Sequence, residues 1–459
     1  MTKQWTTRRP FAKLIFHTKK RRAFAIGGGA DAMDLNATKN VVSITTTNSI
    51  HEIAGTFNID LIYRRDKAGN PVYYEMIQPL DIVDIWLSKR TSTMVGIIDT
   101  VSKPTTMSDR GPQRRVRITG RSLGAIWLFD LIKFFKGAIN LPPKLQQRNL
   151  QLQQGAIKLE FYGESPIEAV TTLYEKLPAL EIKLKEAVLK DFIDVGTELF
   201  GRKGETIYNM GLSGYSGTMF QYFRKYVAAP FNELWTDSKD GKLYLRMRPT
   251  PFGMFGDEEI IERKSKATGA IGWRHIRNWI DRESYHTVTP DMVREENLRR
   301  SHARAYSIFV VLPGDPFVGN ENPYTTFPPL IEPDLYAEVG SRDYAMRLDY
   351  LPVENRDLVP GSGGTIEKFK FYRNKLYLWN KDNHRLEEGA MTIRGDADIR
   401  VGDKVKRSDT DMTYYVESVS NQWQFGIPMT TSLDLTRGAT DKYKQTLCDQ
   451  GLEFLKTVP

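Results

Sequence analysis

The side chains able to do metal or acid–base chemistry are few and scattered. The six histidines are His17, His51, His275, His286, His302 and His384. No two lie close enough in sequence to form a local metal site, where several donors must converge on one ion. His51-Glu52 has no second histidine one helical turn on, as a zinc-protease helix requires. The single cysteine, Cys448, excludes an intrachain disulfide and any cysteine-based zinc site, and reads as a small residue on a C-terminal helix. Gly27-Gly-Gly29 lacks the glycine spacing of a dinucleotide site, and Gly361-Ser-Gly-Gly364 lacks the Lys and Ser/Thr of a phosphate-binding loop. There is no G-x-S-x-G elbow. Asp81 and Asp84 are the one acid pair worth weighing for glycoside hydrolysis, but they sit on an alternating strand and read as solvated strand-edge positions. The sequence therefore offers no catalytic, cofactor-binding or metal residue, and predicts a protein that is not an enzyme.

What remains is charge. The net charge is +9, and the first 22 residues carry Lys3, Arg8, Arg9, Lys13, Lys19, Lys20, Arg21 and Arg22 with no acid before Asp31. Outside this arm the charges nearly balance. No recognition helix, zinc finger or RNA-binding aromatic motif accompanies it, so a nucleic-acid partner is the lesser reading. The arm reads as a site for a protein partner, with Lys19, Lys20, Arg21 and Arg22 as its contact residues.

Length and composition bound the elements that could position such a site. A chain of 459 residues exceeds one core and predicts two to four domains. Apolar content of 40% and charged content of 26% are those of an ordinary core-forming protein. No apolar run approaches the roughly 20 residues of a membrane span; the best, Leu123 to Phe135, is cut by Asp130 and Lys133. Phe11 to His17 is too short and interrupted for a signal-peptide core. The expected product is made in the cytosol and stays soluble.

Residues 39–120 read as continuous β structure. Val41–Thr46 is β-branched, Phe57, Ile59 and Leu61 alternate with Asn58 and Asp60, and Asp81–Leu87, Met94–Val101 and Arg114–Gly120 follow as strands. From Ser122 a helical period is expected, over Leu123–Phe135, from the capping box Ser165-Pro-Ile-Glu168, and over Met219–Val227. Pro230–Phe252 reads as a hairpin whose turn, Asp237 to Gly241, can be closed by Asx side chains, and whose prolines at 249 and 251 end the ladder. Val288–Arg304 is expected to be partly helical, Ser307–Leu312 a buried strand, 313–335 a long loop, and Ile366–Glu388 one long helix with Phe369, Tyr372, Leu376 and Trp379 along a stripe. The last 70 residues return to β structure through Met391–Arg394, Arg400–Lys406, Thr413–Val419 and Thr431–Gly438.

In order along the chain, Ala54-Gly-Thr-Phe-Asn-Ile, Ile77-Gln-Pro-Leu-Asp-Ile-Val-Asp-Ile, Gly96-Ile-Ile-Asp-Thr-Val, Ile118-Thr-Gly-Arg-Ser-Leu, the hairpin Leu243–Phe252, Ile399-Arg-Val-Gly-Asp-Lys-Val, Tyr414-Tyr-Val-Glu-Ser-Val and Thr430–Gly438 resemble phage tail baseplate hub proteins, the tail-tube-to-spike adaptors of contractile tails and related injection systems. The resemblance covers about half the chain and leaves the basic arm and residues 313–364 without a counterpart. It implies an α+β, β-dominated fold with two tube-like antiparallel β-barrel domains and helical or mixed insertions. The expected divisions are a basic arm (1–38), a first barrel (39–121), a mainly helical insertion (122–228), a hairpin and mixed segment opening the second half (229–312), a Pro/Gly-rich loop region (313–364), a helix (365–390), strands completing the second barrel (391–440) and a C-terminal helix or tail (441–459). It further implies a homotrimer of pseudo-six-fold symmetry with a central channel, located in the virion tail baseplate. Its implied partners are the tail tube or a distal tube-initiator protein, the spike or tip protein, the tape measure protein and neighbouring baseplate proteins, with DNA passing through. A tail-tip cell-wall hydrolase and a nucleic-acid-binding protein are the alternatives.

Overall fold

The structure, a computed structural model, describes residues 11–17, 23–27, 40–69, 72–108, 111–125, 131–133, 193–195, 216–218, 232–239, 243–247, 259–264, 271–276, 285–313, 327–348 and 365–440, with 128, 220–221, 224, 442–444, 446–447, 450 and 454. It is β-dominated with large antiparallel sheets, as expected. The N-terminal strands are β1 (Lys13–His17), β2 (Ala23–Gly27), β3 (Val41–Ser49), β4 (Thr56–Ile62), β5 (Ile82–Trp86), β6 (Met94–Ser102), β7 (Thr105–Ser108) and β8 (Gly111–Ser122), with a short helix α1 (Val72–Met76). Every strand expected between 39 and 120 is present. Then come β9 (Leu131–Lys133), β10 (Ile193–Val195), β11 (Ser216–Thr218), the hairpin β12 (Asn232–Thr236) and β13 (Leu243–Met247), β14 (Glu259–Lys264), β15 (Ile271–Ile276), β16 (Tyr285–Val288), β17 (Val293–Arg299), β18 (Ile308–Pro313) and β19 (Leu330–Ile331). Helix α2 (Pro333–Val339), β20 (Asp343–Leu348), helix α3 (Thr365–Asn380) and strands β21 (Glu387–Arg394), β22 (Lys404–Arg407), β23 (Met412–Gln424) and β24 (Ile427–Thr440) complete the order.

The two β regions are not separate. Strand β3 pairs antiparallel with β23, from Ser49↔Ser418 to Ser43↔Gln424, and this joint makes one 14-stranded sheet whose main path runs β17-β21-β24-β23-β3-β4-β8-β6-β5-β1-β2, with β22 on β23, β16 on β22 and β7 on β8 beside it. Among the described residues that path is open and closes neither region into a barrel. Alternation sends one set of side chains inward from every strand. Register aligns Trp423, Ile44, Ile59 and Ile118 as one buried row across four strands. Gly120 is required beside this row, because a Cβ there would stand 2.1 Å from the Ile97 carbonyl oxygen and 2.4 Å from the Phe57 ring.

Two hydrophobic clusters lie behind the sheet. The first gathers Leu14, Phe16, Val83, Ile85 and Ile98 with Trp423 and Ala397 from the C-terminal region. The second gathers Met391, Ile399, Val405, Tyr414, Val416 and Leu433 with Ile50 and Trp235. Each cluster thus borrows side chains from the other half of the chain. Between them the buried face turns polar, with Thr46, Asn48, Asn421 and Thr431. The Thr431 hydroxyl donates to Asn421 Oδ1 at 2.7 Å.

The opposite face of the same strands carries hydroxyls and amides in register. One row runs Thr392–Ser432–Ser420–Thr47–Thr56 and the next Thr430–Gln422–Thr45–Asn58–Thr119. The Thr47 and Ser420 hydroxyls are 3.1 Å apart, and those of Thr392 and Ser432 are 3.0 Å apart.

Several expectations are corrected. The arm is not purely an arm: β1 pairs with β2 and β5, and Ala12, Leu14 and Phe16 are in the first core. The alternation that drives this is hidden in the sequence by flanking Lys and Arg. Within the predicted helix Leu123–Phe135, Leu128 is helical, but Leu123–Ala125 is a 3-10 turn and Leu131–Lys133 a strand paired with β11, where tertiary pairing overrides the helical spacing. Val293–Arg299 is strand rather than helix, an exposed edge on β21; charged side chains suit an edge strand because they discourage pairing with another chain. The long helix stops at Asn380, and Glu387 already opens β21, whose bulge at Gly389 needs a φ of 148°. The region 313–364 holds α2, opened by Pro333 at its first turn, and β20 paired parallel with β18. Asp81 is 2% exposed, accepting the backbone N–H of Gln78, and is not solvated. Phe220, Gln221 and Arg224 are helical, whereas the capping box at 165–168 and Cys448 lie outside the described residues.

Candidate functional site: the junction of the two β modules

The hairpin β12–β13 pairs as the alternation predicted, Asn232↔Met247 through Thr236↔Leu243. Its turn opens as an Asx turn, with Asp237 Oδ1 accepting the Lys239 backbone N–H at 2.9 Å. Polar turns of this kind usually face solvent. Instead Glu233, Leu234, Trp235, Thr236, Asp237 and Ser238 are all buried. The turn is inserted where the two clusters meet, against Thr46, Asn48 and Asn421 of the polar seam.

Contacts run to both sides. Towards the first module, Val95 donates its N–H to the Ser238 carbonyl at 2.7 Å, the Ser238 hydroxyl donates to the Thr93 carbonyl at 3.3 Å, and Lys239 Nζ donates to Thr91 Oγ1 at 3.1 Å. Towards the second, Trp235 enters the core and the Tyr415 hydroxyl donates to Glu233 Oε2 at 2.5 Å. Arg400 Nη1 lies 3.4 Å from Asp237 Oδ2, and the Thr91 hydroxyl donates to Asp398 at 3.3 Å. The hairpin, which the sequence places at the opening of the second half, therefore ties both halves together.

A second layer of charge holds the loop 396–403 that faces it. Asp403 accepts the Arg400 backbone N–H at 2.8 Å and the His286 Nε2 proton at 3.1 Å, while His286 Nδ1 is 4.0 Å from Asp396. Asp396 in turn accepts the Asp398 N–H at 3.0 Å. Burial lowers the Lys239 pKa, with Arg400 adding to the effect against the pull of Asp237, Asp398 and Asp403. The hydrogen bond to Asp403 raises the His286 pKa above its ordinary value, against desolvation and with help from the Asp396 and Asp398 charges.

Because the folded-state pKa of His286 is raised, its stabilisation is fully present below the unfolded value of about 6.5 and fades as pH rises through the folded value. His286→Asn is therefore expected to cost about 1 kcal/mol at pH 5.5, with the deficit shrinking by pH 8.5. Urea unfolding of both proteins at the two pH values checks this; a deficit independent of pH would mean the imidazolium–Asp403 pair contributes nothing.

Chemically this is a network of compensated charges that positions backbone. Among the described residues no three His, Cys, Asp or Glu side chains cluster as metal ligands would. Lys19, Lys20, Arg21 and Arg22, the contact residues predicted from sequence, lie outside the described residues, between β1 and β2 in the chain. Sequence reasoning missed His286 and Asp403. The single hint was the Gly402-Asp403 turn after Ile399-Arg-Val.

The chain is thus a β-dominated protein whose two modules share one sheet, with a buried hairpin at their junction. No family model and no curated protein sequence matches it. Solved structures do: the 43 kDa tail protein of prophage MuSo2 from Shewanella oneidensis is 13% identical with a TM-score of 0.50, over 93% of this chain and 98% of that one. The tail protein from Neisseria meningitidis MC58 is 9% identical with a TM-score of 0.51, over 93% and 96% of the two chains. At such identities the likeness is one of fold. The chain has the fold of phage tail proteins over almost its whole length, as the ordered sequence motifs anticipated. No described helix is long and apolar enough to cross a membrane.

Proposed function

We propose that this chain is the structural baseplate hub of a phage tail or phage-tail-like particle. In this reading it is a homotrimer, located in the virion tail, that joins the hexameric tail tube to a trimeric spike or tip around a central channel. The observation that carries it is the shared sheet with two hydrophobic clusters: one chain holds two β modules side by side in fixed register. Three such chains present six quasi-equivalent modules, which matches a six-fold ring on one side and a three-fold tip on the other. Compensated charges at the junction support a positioning role over turnover. The tube or its initiator, the spike, the tape measure and neighbouring baseplate proteins are the partners this reading assigns, with DNA in transit.

Light scattering and electron microscopy of the purified chain test it. At micromolar concentration the expected result is a three-fold ring with a central opening; a clean monomer with no ring-forming tendency overturns the proposal. A peptidoglycan zymogram is expected to show no clearing.

A further inference from the structure

Three segments at one end of the first module bring positive charge together. Residues 63–67 follow β4, Lys103 stands between β6 and β7, and Arg114 lies on β8 opposite Thr105. The Arg115 N–H donates to the Pro104 carbonyl at 3.1 Å, and the guanidinium groups of Arg65 and Arg114 lie 5.7 and 5.9 Å from the Tyr63 ring, so the segments meet. Lys103 Nζ sits 3.7 Å from the Tyr74 ring. Arg64, Arg65, Lys67, Lys103 and Arg114 are all exposed, and among the described residues no carboxylate pairs with any of them. The Asp60 carboxylate is taken by Arg117 and Arg115, at 2.8 and 3.7 Å. Among the described residues the exposed acids beside them in the chain are Asp66 and Glu75, so cations outnumber acids five to two. The same end carries an open strand edge. Among the described residues β7 pairs with β8 alone, and its Thr105, Thr106 and Met107 are exposed, Met107 at 75%. In an antiparallel strand alternate residues turn their N–H and C=O away from the partner, so β7 offers a free ladder to an incoming strand.

We infer that this end of the first module is a docking surface for an extended acidic segment of a partner protein, added as a strand along β7 with its carboxylates on the five cations. The inference goes beyond the hub reading and does not depend on it. Cations without counter-ions select an anionic partner, and the guanidinium fork of Arg65 or Arg114 suits a carboxylate in two-point geometry. Like charge on a second copy of β7 disfavours self-pairing of this edge. The charges that discourage copies of this chain therefore admit an acidic strand. A nucleic acid fits less well. The Tyr63 and Tyr74 rings, on which unpaired bases would stack, already have Arg65, Arg114 and Lys103 against them, and phosphates make no use of a strand edge.

Fluorescence anisotropy on the full-length chain tests this with a short labelled peptide alternating Glu and Thr. The expected result is saturable binding that weakens as salt rises. Replacing each Glu of the peptide by Lys abolishes it. The double variant Arg65→Ser/Arg114→Ser weakens it about tenfold or more, through the loss of two charge-assisted contacts. Lys103→Ser, on the neighbouring turn, acts in the same direction, whereas Gln113→Ser, exposed on β8, leaves binding unchanged. A peptide N-methylated throughout keeps every carboxylate but donates no ladder hydrogen bond, and is expected to bind about tenfold more weakly. Undiminished binding by both charge variants overturns the inference, because the acidic peptide is then held elsewhere on the chain. Equal binding of the N-methylated peptide overturns strand addition along β7. A short DNA duplex that binds more tightly than the acidic peptide, and loses affinity in the same variants, assigns the patch to nucleic acid instead. The readout needs no ring, so a chain that stays monomeric removes the hub reading and leaves this binding as expected.

Discussion

Trp235→Ala is expected to lower the unfolding free energy by about 3–5 kcal/mol, the range for deleting a large aromatic side chain from a packed core. Trp235 is 2% exposed and sits within the second hydrophobic cluster, although its strand belongs to the mid-chain hairpin. The indole is the hairpin's apolar anchor; the turn's remaining contacts to Thr91, Thr93 and Val95 are single hydrogen bonds, worth about 1 kcal/mol each. Removing the ring leaves a cavity where the two modules meet, and the hairpin is then held by these hydrogen bonds and the polar contacts Glu233–Tyr415 and Asp237–Arg400. Trp235→Phe, which keeps a ring in place, loses less. Urea unfolding followed by circular dichroism measures the difference, and a loss below about 1 kcal/mol would show that the hairpin is peripheral to stability.

Deleting residues 1–17 is expected to have a comparable or larger effect, of about 5 kcal/mol or more. The deletion removes Leu14 and Phe16, both 0% exposed, and Ala12 at 1%. It also strips β5 of its neighbour, leaving the backbone groups opposite Lys13–His17 without their ladder. Charge removal is a different operation. The quadruple variant Lys19→Ser, Lys20→Ser, Arg21→Ser and Arg22→Ser keeps β1 and is expected to hold the unfolding midpoint while weakening co-assembly with a neighbouring tail protein. Unimpaired co-assembly would take these four residues out of the interface, and a fall in the midpoint as large as the deletion's would assign them to the fold. A plain truncation of the arm cannot separate these cases, because the strand and the charges lie in the same 22 residues.

Much of the local structure was legible in the residues. Alternation at Phe57, Ile59 and Leu61 and at Val116 and Ile118 fixed which face of β4 and β8 is buried, because a pleated strand exposes every second side chain. The hairpin's ladder and its Asx turn followed from Asp237 and the period of Leu243, Leu245 and Met247, since both are decided within a few residues. Helical stripes read equally well at Phe369, Tyr372, Leu376 and Trp379, all of them buried. Strands that depend on distant partners did not. Lys13–His17 is flanked by charge, Leu131–Lys133 carries a helical spacing, and Val293–Arg299 is almost wholly polar; each is a strand because another strand supplies its hydrogen bonds.

The sequence by itself determined the β-dominated class, the two β regions and the absence of any local catalytic motif, because composition, period and spacing are properties of short windows. Only the tertiary structure decided that β3 pairs with β23, so that residues such as Thr47 and Ser420, 373 apart in the chain, share one sheet. It alone decided that a polar turn is buried at their junction, with Asp237 facing Arg400 and His286 facing Asp403. Pairing of distant edges is selected by the fit of whole surfaces, and no single window of residues contains that information.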